Sequence, residues 1–396
     1  MSLSIECAPS RDTIPFSIGQ EYKESREESF GEQARKLWEK TFQETAEIAK
    51  DSEILFTGIG GAPFLNKLPC VREYPDSSHI PYFVDLKQTL RRVPRVLFLI
   101  ASPLLTDDLV GLKGVSREYK KQGVEKIIAL ITAMPHERQD HRFYDQFGKS
   151  ILQPTLLKDT VSILSQSVDG GIIVQPHSLR SVELAIQKGF PLLPLDAFPL
   201  LLGKAKEVVT REKLFVIGPD KGRKDQAKRA AVVLECPIGF AIKNRDRLGV
   251  GTPTLTIPFE ILEEIQRGEY TVAIFDDEIR EGNTMDKLAH ALKEYANGMV
   301  VFAIKPICAG NGNGKTAVDH LINPFIKKIC VTDAVKPRTD LKPLEGKLDI
   351  IPIGPELVKI AQYFTEHLVE PDNDNWLDPR KTGTSLCLDL SIEAIG

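Results

Sequence analysis

The stretch TVAIFDDEIREGNT, residues 271–284, decides how this chain is read. Val272, Ala273, Ile274 and Phe275 predict a short buried strand, and two adjacent acids, Asp276 and Asp277, follow at its carboxyl end. A turn holding Gly282, Asn283 and Thr284 comes next. Met285, Leu288, Ala289, Leu292 and Tyr295 then recur at helical spacing, which predicts a helix of about a dozen residues. Strand, small-residue turn and helix start together form an anion site, because the unpaired N–H groups of a first helical turn attract phosphate and the turn lets a ligand come close. The acids suit ribose hydroxyls or a cation, since they would repel phosphate. A plainer reading stands beside this one: an acid pair after a strand also serves to end it and to cap the next element.

At 396 residues the chain exceeds the length at which one core usually stops growing, so two domains are expected. A hydrophobic content of 42% with 27% charged residues belongs to an ordinary globular protein. The net charge of −4, with Lys and Arg spread along the chain, argues against a dedicated nucleic-acid binder, which would carry a basic face. The cysteines are far apart and form no Cys-x-x-Cys pair, so neither a zinc knuckle nor a disulfide framework is expected. No apolar run reaches ~18 residues and the N-terminus does not read as a signal peptide. A cytoplasmic protein with no membrane partner is therefore the expectation.

Residues 1–50 predict an N-terminal helical extension, with Trp38, Phe42 and Ala46 on its apolar side, for packing or an oligomer contact. Strands at ILFTG, 96–100 and 126–131, with a helix over 107–122, make a strand–helix–strand unit and hence parallel strands covered by helices. The third strand runs into TAMPHERQDHRF, which places His136, Arg138, Gln139, Asp140 and His141 on the ligand side of an open sheet. Arginine brings a fork of donors for phosphate, and glutamine can pair with a base edge. A helix over 154–165 and a strand over 171–174 lead to QPHS, where His177 is either a structural histidine or, beside Asp140, a group on the Mg2+ or phosphate side. GFPLLPLDAF then looks like a domain crossing.

The second half repeats the architecture. A strand over 213–217 runs into GPDKGRKDQAKRAAVVL; Asp220 is a ribose-phosphate contact, a metal–water contact or a plain cap, and the helix from about Lys224 carries basic residues on a solvated face. In KNRDRLGVGTPT, Lys243 and Arg245 share a side of an extended segment made mobile by Gly249 and Gly251. Two cations on a flexible arm suit phosphoryl or diphosphoryl transfer, in which positioning and charge neutralisation do most of the catalysis; a solvated charged hairpin is the alternative. GNGNGKTA lacks the spacing of a P-loop and is a weak phosphate or turn signal. Strands over 299–304, 329–332 and 348–352 and a helix over 355–368 complete this half.

Together these segments resemble the ribose-phosphate diphosphokinase (PRPP synthetase) family over roughly residues 53–368. ERQDHRF, QPHS, GFPLLPLDAF, FVIGPDKG, AIKNR, IFDDEIREGNT, VTDAV and LDIIPIGPELVKIA succeed one another in the family's order. The resemblance implies an α/β fold of two domains, each an open, mainly parallel sheet flanked by helices of the phosphoribosyltransferase kind. On that basis the expected division is an extension at 1–50, a first domain at 51–200, a second at 201–345, a final strand and helix at 346–370 and a tail at 371–396. The implied reaction is Mg2+-dependent diphosphoryl transfer from ATP to ribose 5-phosphate in a homo-oligomer. Tyr74, Asp76, Arg138, Gln139 and Asp140 would contact ATP, and His177 would lie near Mg2+. Asp220, Asp276, Asp277, Gly282, Asn283 and Thr284 would hold ribose 5-phosphate, with Lys243 and Arg245 on the catalytic arm.

The chain departs from the family pattern at several of these places. Ser78 stands where the family has a glutamate for adenine, Gln175 replaces an aspartate, and Asn244 an arginine. Glu281 and Asn283 replace a threonine and a glycine in the phosphate loop, and Lys305-Pro306 replaces threonine-histidine. A carboxylate at 281 repels a dianion unless it is turned away or paired. These changes keep open another sugar phosphate, another nucleotide, or a non-catalytic regulatory subunit.

Overall fold

A computed structural model of the chain describes residues 52–56, 71–73, 79–81, 93–103, 105–138, 143–144, 150–151, 156–209, 213–219, 221–244, 254–310, 314–367 and 387–388. The expected extension at 1–50 and Tyr74, Asp76, Ser78, Gln139, Asp140, Asp220 and Arg245 lie outside the described residues. In chain order the elements are β1 (Ser52–Phe56), β2 (Val71–Glu73), β3 (His79–Pro81), β4 (Val96–Ala101), α1 (Thr106–Gln122), β5 (Lys126–Ile131), β6 (Phe143–Tyr144), β7 (Ser150–Ile151), α2 (Leu156–Ser165), β8 (Gly170–Val174), α3 (Arg180–Gln187), β9 (Leu192–Asp196) and α4 (Phe198–Val209). The second half continues with β10 (Leu214–Gly218), α5 (Lys224–Leu234), β11 (Ile238–Phe240), β12 (Ile242–Asn244), β13 (Thr254–Thr256), α6 (Phe259–Gly268), β14 (Thr271–Ile279), α7 (Asn283–Leu292), β15 (Gly298–Pro306), α8 (Ala317–Leu321), β16 (Ile326–Thr332), β17 (Leu348–Ile351), α9 (Gly354–His367) and β18 (Cys387–Leu388).

The strands β4, β5, β8, β9, β10, β14 and β15 are buried nearly throughout, so both faces of their sheets need cover, and helices from strand-to-strand crossovers provide it. The first sheet has the order β1-β4-β5-β8-β9-β18 and the second β11-β10-β14-β15-β16-β17. Both are parallel except for β18, which pairs antiparallel with β9. The fold is α/β with helix-flanked parallel sheets, as the sequence implies. The stretch expected as a tail supplies the short edge strand β18.

Alternation along the strands sorts the core into layers. Leu97, Leu99 and Ala101 face one core with α1 and α2, whereas Val96, Phe98 and Ile100 face a second core that also holds Val216, Phe275 and Phe302 of the other sheet. The two sheets therefore share one continuous apolar interior. Helix α4 bridges them: it starts two residues after β9, and its Phe198 meets Phe275 edge-on at 5.4 Å, while Phe275 stacks on Phe302 at 4.7 Å. At the ligand ends of the sheets, Ser102 Oγ donates to Ala334 O at 3.1 Å, and Ala133 packs with Ile307 and Val335.

One local expectation needs correction. The acids do not follow the strand; they lie inside it, because β14 continues to Ile279. Its neighbour β15 runs to Pro306 and offers ladder partners that far, with Asp276 opposite Ala303 and Glu278 opposite Lys305. Helix α7 correspondingly begins at Asn283 and stops at Leu292, short of Tyr295.

The Phe275–Phe302 stack sits where the sheets share their interior. Phe302→Ala is expected to lower unfolding stability by about 3–5 kcal/mol in urea titration. A loss below about 1 kcal/mol would show that this pair does not hold the sheets together.

Candidate functional site

Three strand ends bring charged side chains to one point. After β8, Gln175 adopts φ +41°, donates its N–H to Leu195 O at 2.7 Å and accepts from Ala197 N on its side chain at 3.0 Å. That locked turn delivers His177. After β10, a 3-10 turn over Lys221–Arg223 delivers Arg223 at the start of α5. Strand β14 supplies Asp276 and Asp277.

Asp277 is the hub. Its Oδ2 lies 2.6 Å from His177 Nδ1 and 2.6 Å from Arg223 Nη2. Arg223 Nε lies 3.3 Å from Asp276 Oδ1, which also accepts the Asp277 N–H at 2.9 Å. The carboxylate assigns the imidazole proton to Nδ1, so the 3.2 Å approach of Arg223 to that nitrogen is packing, and Nε2 is the nitrogen available to a ligand. Burial alone would push the Asp277 carboxyl up, but the Arg223 charge and the bonds from His177 and Asp276 outweigh it and hold it well below the usual range. Its Oδ1 is buried and has no hydrogen-bond partner among the described residues.

A second group of charges lines a cavity of about 270 Å³ between the loop after β5 and the ends of β14 and β15. Its wall includes His136, Glu137, Arg138, Glu278, Arg280, Lys305 and Arg338. Lys305 Nζ meets Glu137 Oε2 at 2.8 Å, and Arg138 Nε pairs with Glu278 Oε1, which also accepts from Arg280 Nε at 2.9 Å. Burial pushes the Glu137 carboxyl up, with Lys305 opposing that shift. His136 holds φ +62° and its Nδ1 lies 3.1 Å from Thr160 Oγ1, which pins the loop from below.

The loop before α7 is built for close approach. Gly282 has φ +73°, and a Cβ there would sit 3.0 Å from both Ala317 O and the His320 side chain. Asn283 Nδ2 donates to Glu281 Oε2 at 2.8 Å, so the carboxylate that replaces a threonine is exposed and paired. The backbone of Lys243 lies on β12, opposite Leu255 of β13, and this hairpin packs beside α7 through β13.

Of the residues singled out from sequence, His177, Asp276 and Asp277 come together. Gly282, Asn283 and Thr284 follow β14 directly, and Arg138 lies on the cavity wall. Arg223 was missed, because in GPDKGRKDQAKRA it reads as one more cation on a solvated helix face. Its place in the turn, with Lys221 and before the helix begins, was the available signal. Among the described residues no group of three or more His, Cys, Asp or Glu is arranged to hold a metal by itself. No helix among them is long and apolar enough to cross a membrane.

No family model matches the chain. It is 31% identical over 212 residues to the ribose-phosphate pyrophosphokinase of Sulfurisphaera tokodaii, covering 53% of this chain and 66% of that protein. It is 29% identical over 188 residues to that of Saccharolobus solfataricus, covering 46% and 59% respectively. The chain thus spans less than two thirds of the length of these two relatives. A similarity to the enzyme of Methanopyrus kandleri, at 26% identity, covers 64% of this chain and 82% of that protein. Among solved structures, phosphoribosylpyrophosphate synthetase from Mycobacterium smegmatis superposes with a TM-score of 0.60 at 19% identity, over 80% of this chain and 99% of that one, and shares its fold.

The depressed Asp277 makes the hub testable. A carboxyl whose folded value lies below its unfolded value of about 3.9 contributes its full stability above about pH 4 and loses it as pH falls through the folded value. In Arg223→Met, burial would act without the guanidinium and the folded carboxyl would rise. The variant is expected to be less stable by about 3–5 kcal/mol at neutral pH, with the gap to wild type narrowing as pH drops below about 4. A gap that stays constant across a pH series of denaturant titrations would contradict this assignment.

Proposed function

Because the chain is a divergent homologue of the ribose-phosphate pyrophosphokinase family, we propose that it transfers a diphosphoryl group from ATP to the anomeric hydroxyl of ribose 5-phosphate. The observation that carries this reading is Asp277, a buried carboxylate anchored by a residue from each half of the chain and left with one unpartnered oxygen. Such an oxygen is an acceptor for a sugar hydroxyl. Asp276 and Asp277 would hold the ribose hydroxyls, and the N–H groups at Gly282, Asn283 and Thr284 the 5-phosphate. Asn283 Nδ2 holds the Glu281 side chain at 2.8 Å, which fixes where that carboxylate sits and leaves its charge in the loop. Asp220 would contact the sugar phosphate from the loop after β10.

In the transfer, the anomeric oxygen bonds to the β-phosphorus of ATP as the bond from that phosphorus to the α–β bridging oxygen breaks. AMP leaves, PRPP forms and the hydroxyl proton is released. Lys243 and Arg245 on the β12–β13 arm would neutralise charge on the transferring group, while Arg138, Gln139, Asp140, Tyr74 and Asp76 hold the nucleotide. Mg2+ fits this donor set as an ion brought in on the triphosphate, since it keeps waters and phosphate oxygens and needs few protein ligands. His177, through Nε2, would hold it, and bound there it would supply charge neutralisation. The first and second halves would act as two domains with the site between them, in a homo-oligomer.

An assay of the full chain with ATP, Mg2+ and ribose 5-phosphate is expected to yield AMP and PRPP in equal amounts, with Lys243→Ala slower by roughly a hundredfold or more. ATP binding without turnover would overturn the reading. Glu281→Thr removes a negative charge from the phosphate loop and is expected to lower the KM for ribose 5-phosphate severalfold; an unchanged or higher KM would count against the loop's assignment.

A further inference from the structure

Two consecutive residues of opposite charge on the loop after β5 meet two register partners of opposite charge on the second sheet. Glu137 engages Lys305, Arg138 engages Glu278, and Glu278 and Lys305 face each other across β14 and β15. This crossed arrangement fixes the loop against the other half of the chain. It uses only one oxygen of Glu137. The other, Oε1, is buried without a hydrogen-bond partner among the described residues, on a side chain that is 8% exposed and lines the 270 Å³ cavity. The Lys305 side chain is only 2% exposed and its Nζ holds Oε2 at 2.8 Å, so Oε1 is the acceptor atom that this pair leaves unsatisfied. Around it, Arg138, Arg280 and Arg338 make the cavity wall suited to an anion.

We propose that Glu137 is a specificity-determining residue for the nucleotide: its Oε1 accepts a hydrogen bond from an N–H or O–H group of the ligand that its anionic part anchors on the surrounding arginines. The donor is either an amino group of the base or a ribose hydroxyl. A ligand presenting a carbonyl oxygen at that point would face another acceptor and be rejected. The inference rests on the diphosphoryl-transfer reading, which brings a nucleotide to Arg138. Lys305 is the positioning residue that keeps the acceptor in place.

The test is calorimetric binding of ATP, inosine triphosphate, 2′-deoxy-ATP and 3′-deoxy-ATP to the full chain with Mg2+. At least one analogue is expected to bind wild type about tenfold more weakly than ATP, or worse. A deficit for inosine triphosphate identifies the base amine, and a deficit for a deoxy compound identifies that hydroxyl. In Glu137→Gln, Lys305 claims the amide oxygen and turns the NH2 toward the ligand, so the preference should shrink to about twofold or less. The double variant Glu137→Leu/Lys305→Met removes both buried charges, guards against a folding defect and should lose the preference too. Analogues that bind wild type within about twofold of ATP, or a preference that survives in both variants, would overturn the proposal while leaving nucleotide binding intact. A wild-type chain that binds none of the four would overturn the functional reading and this inference with it.

Discussion

A buried carboxylate is tolerated only when its charge is answered, and Asp277 is answered from both halves of the chain. His177 reaches it from the first sheet and Arg223 from the second, each at 2.6 Å. Removing either partner leaves the acid in a site that burial alone would neutralise. The contact therefore ties the geometry of the cleft to the joint arrangement of the two sheets. The apolar interior they share, with Phe275 between Phe198 and Phe302 directly beneath the acid pair, makes that arrangement rigid.

The second tie across the cleft is electrostatic as well. Lys305 and Glu278 on neighbouring strands take hold of Glu137 and Arg138 on the facing loop. A buried Lys305 side chain is compatible with folding there because Glu137 faces it.

The fold was legible because continuous apolar strands alternating with helical pattern permit few architectures, and the order of the motifs narrowed these further. His177 was legible because it follows a strand, and Asp276 and Asp277 because two adjacent acids directly after an apolar run are unusual. The extension of β14 past Phe275 was not legible, since Asp276, Asp277 and Glu278 are poor strand formers; the length of β15 overrides that local preference. Arg223 and Glu137 were hidden for a different reason. Each is a charged residue in a charged stretch, and only the fold shows what answers it: Asp276 and Asp277 of its own sheet for Arg223, and Lys305 of the other sheet for Glu137.

The role assigned to the acid pair depends on where the sugar phosphate binds. A crystal structure of the full chain grown with ribose 5-phosphate, Mg2+ and a non-hydrolysable ATP analogue tests this most directly. The expected result is sugar hydroxyls on Asp276 and Asp277 Oδ1, with the 5-phosphate on the N–H groups of Gly282, Asn283 and Thr284. A sugar phosphate held away from this acid pair, or a nucleotide bound with the acid pair untouched, would contradict it.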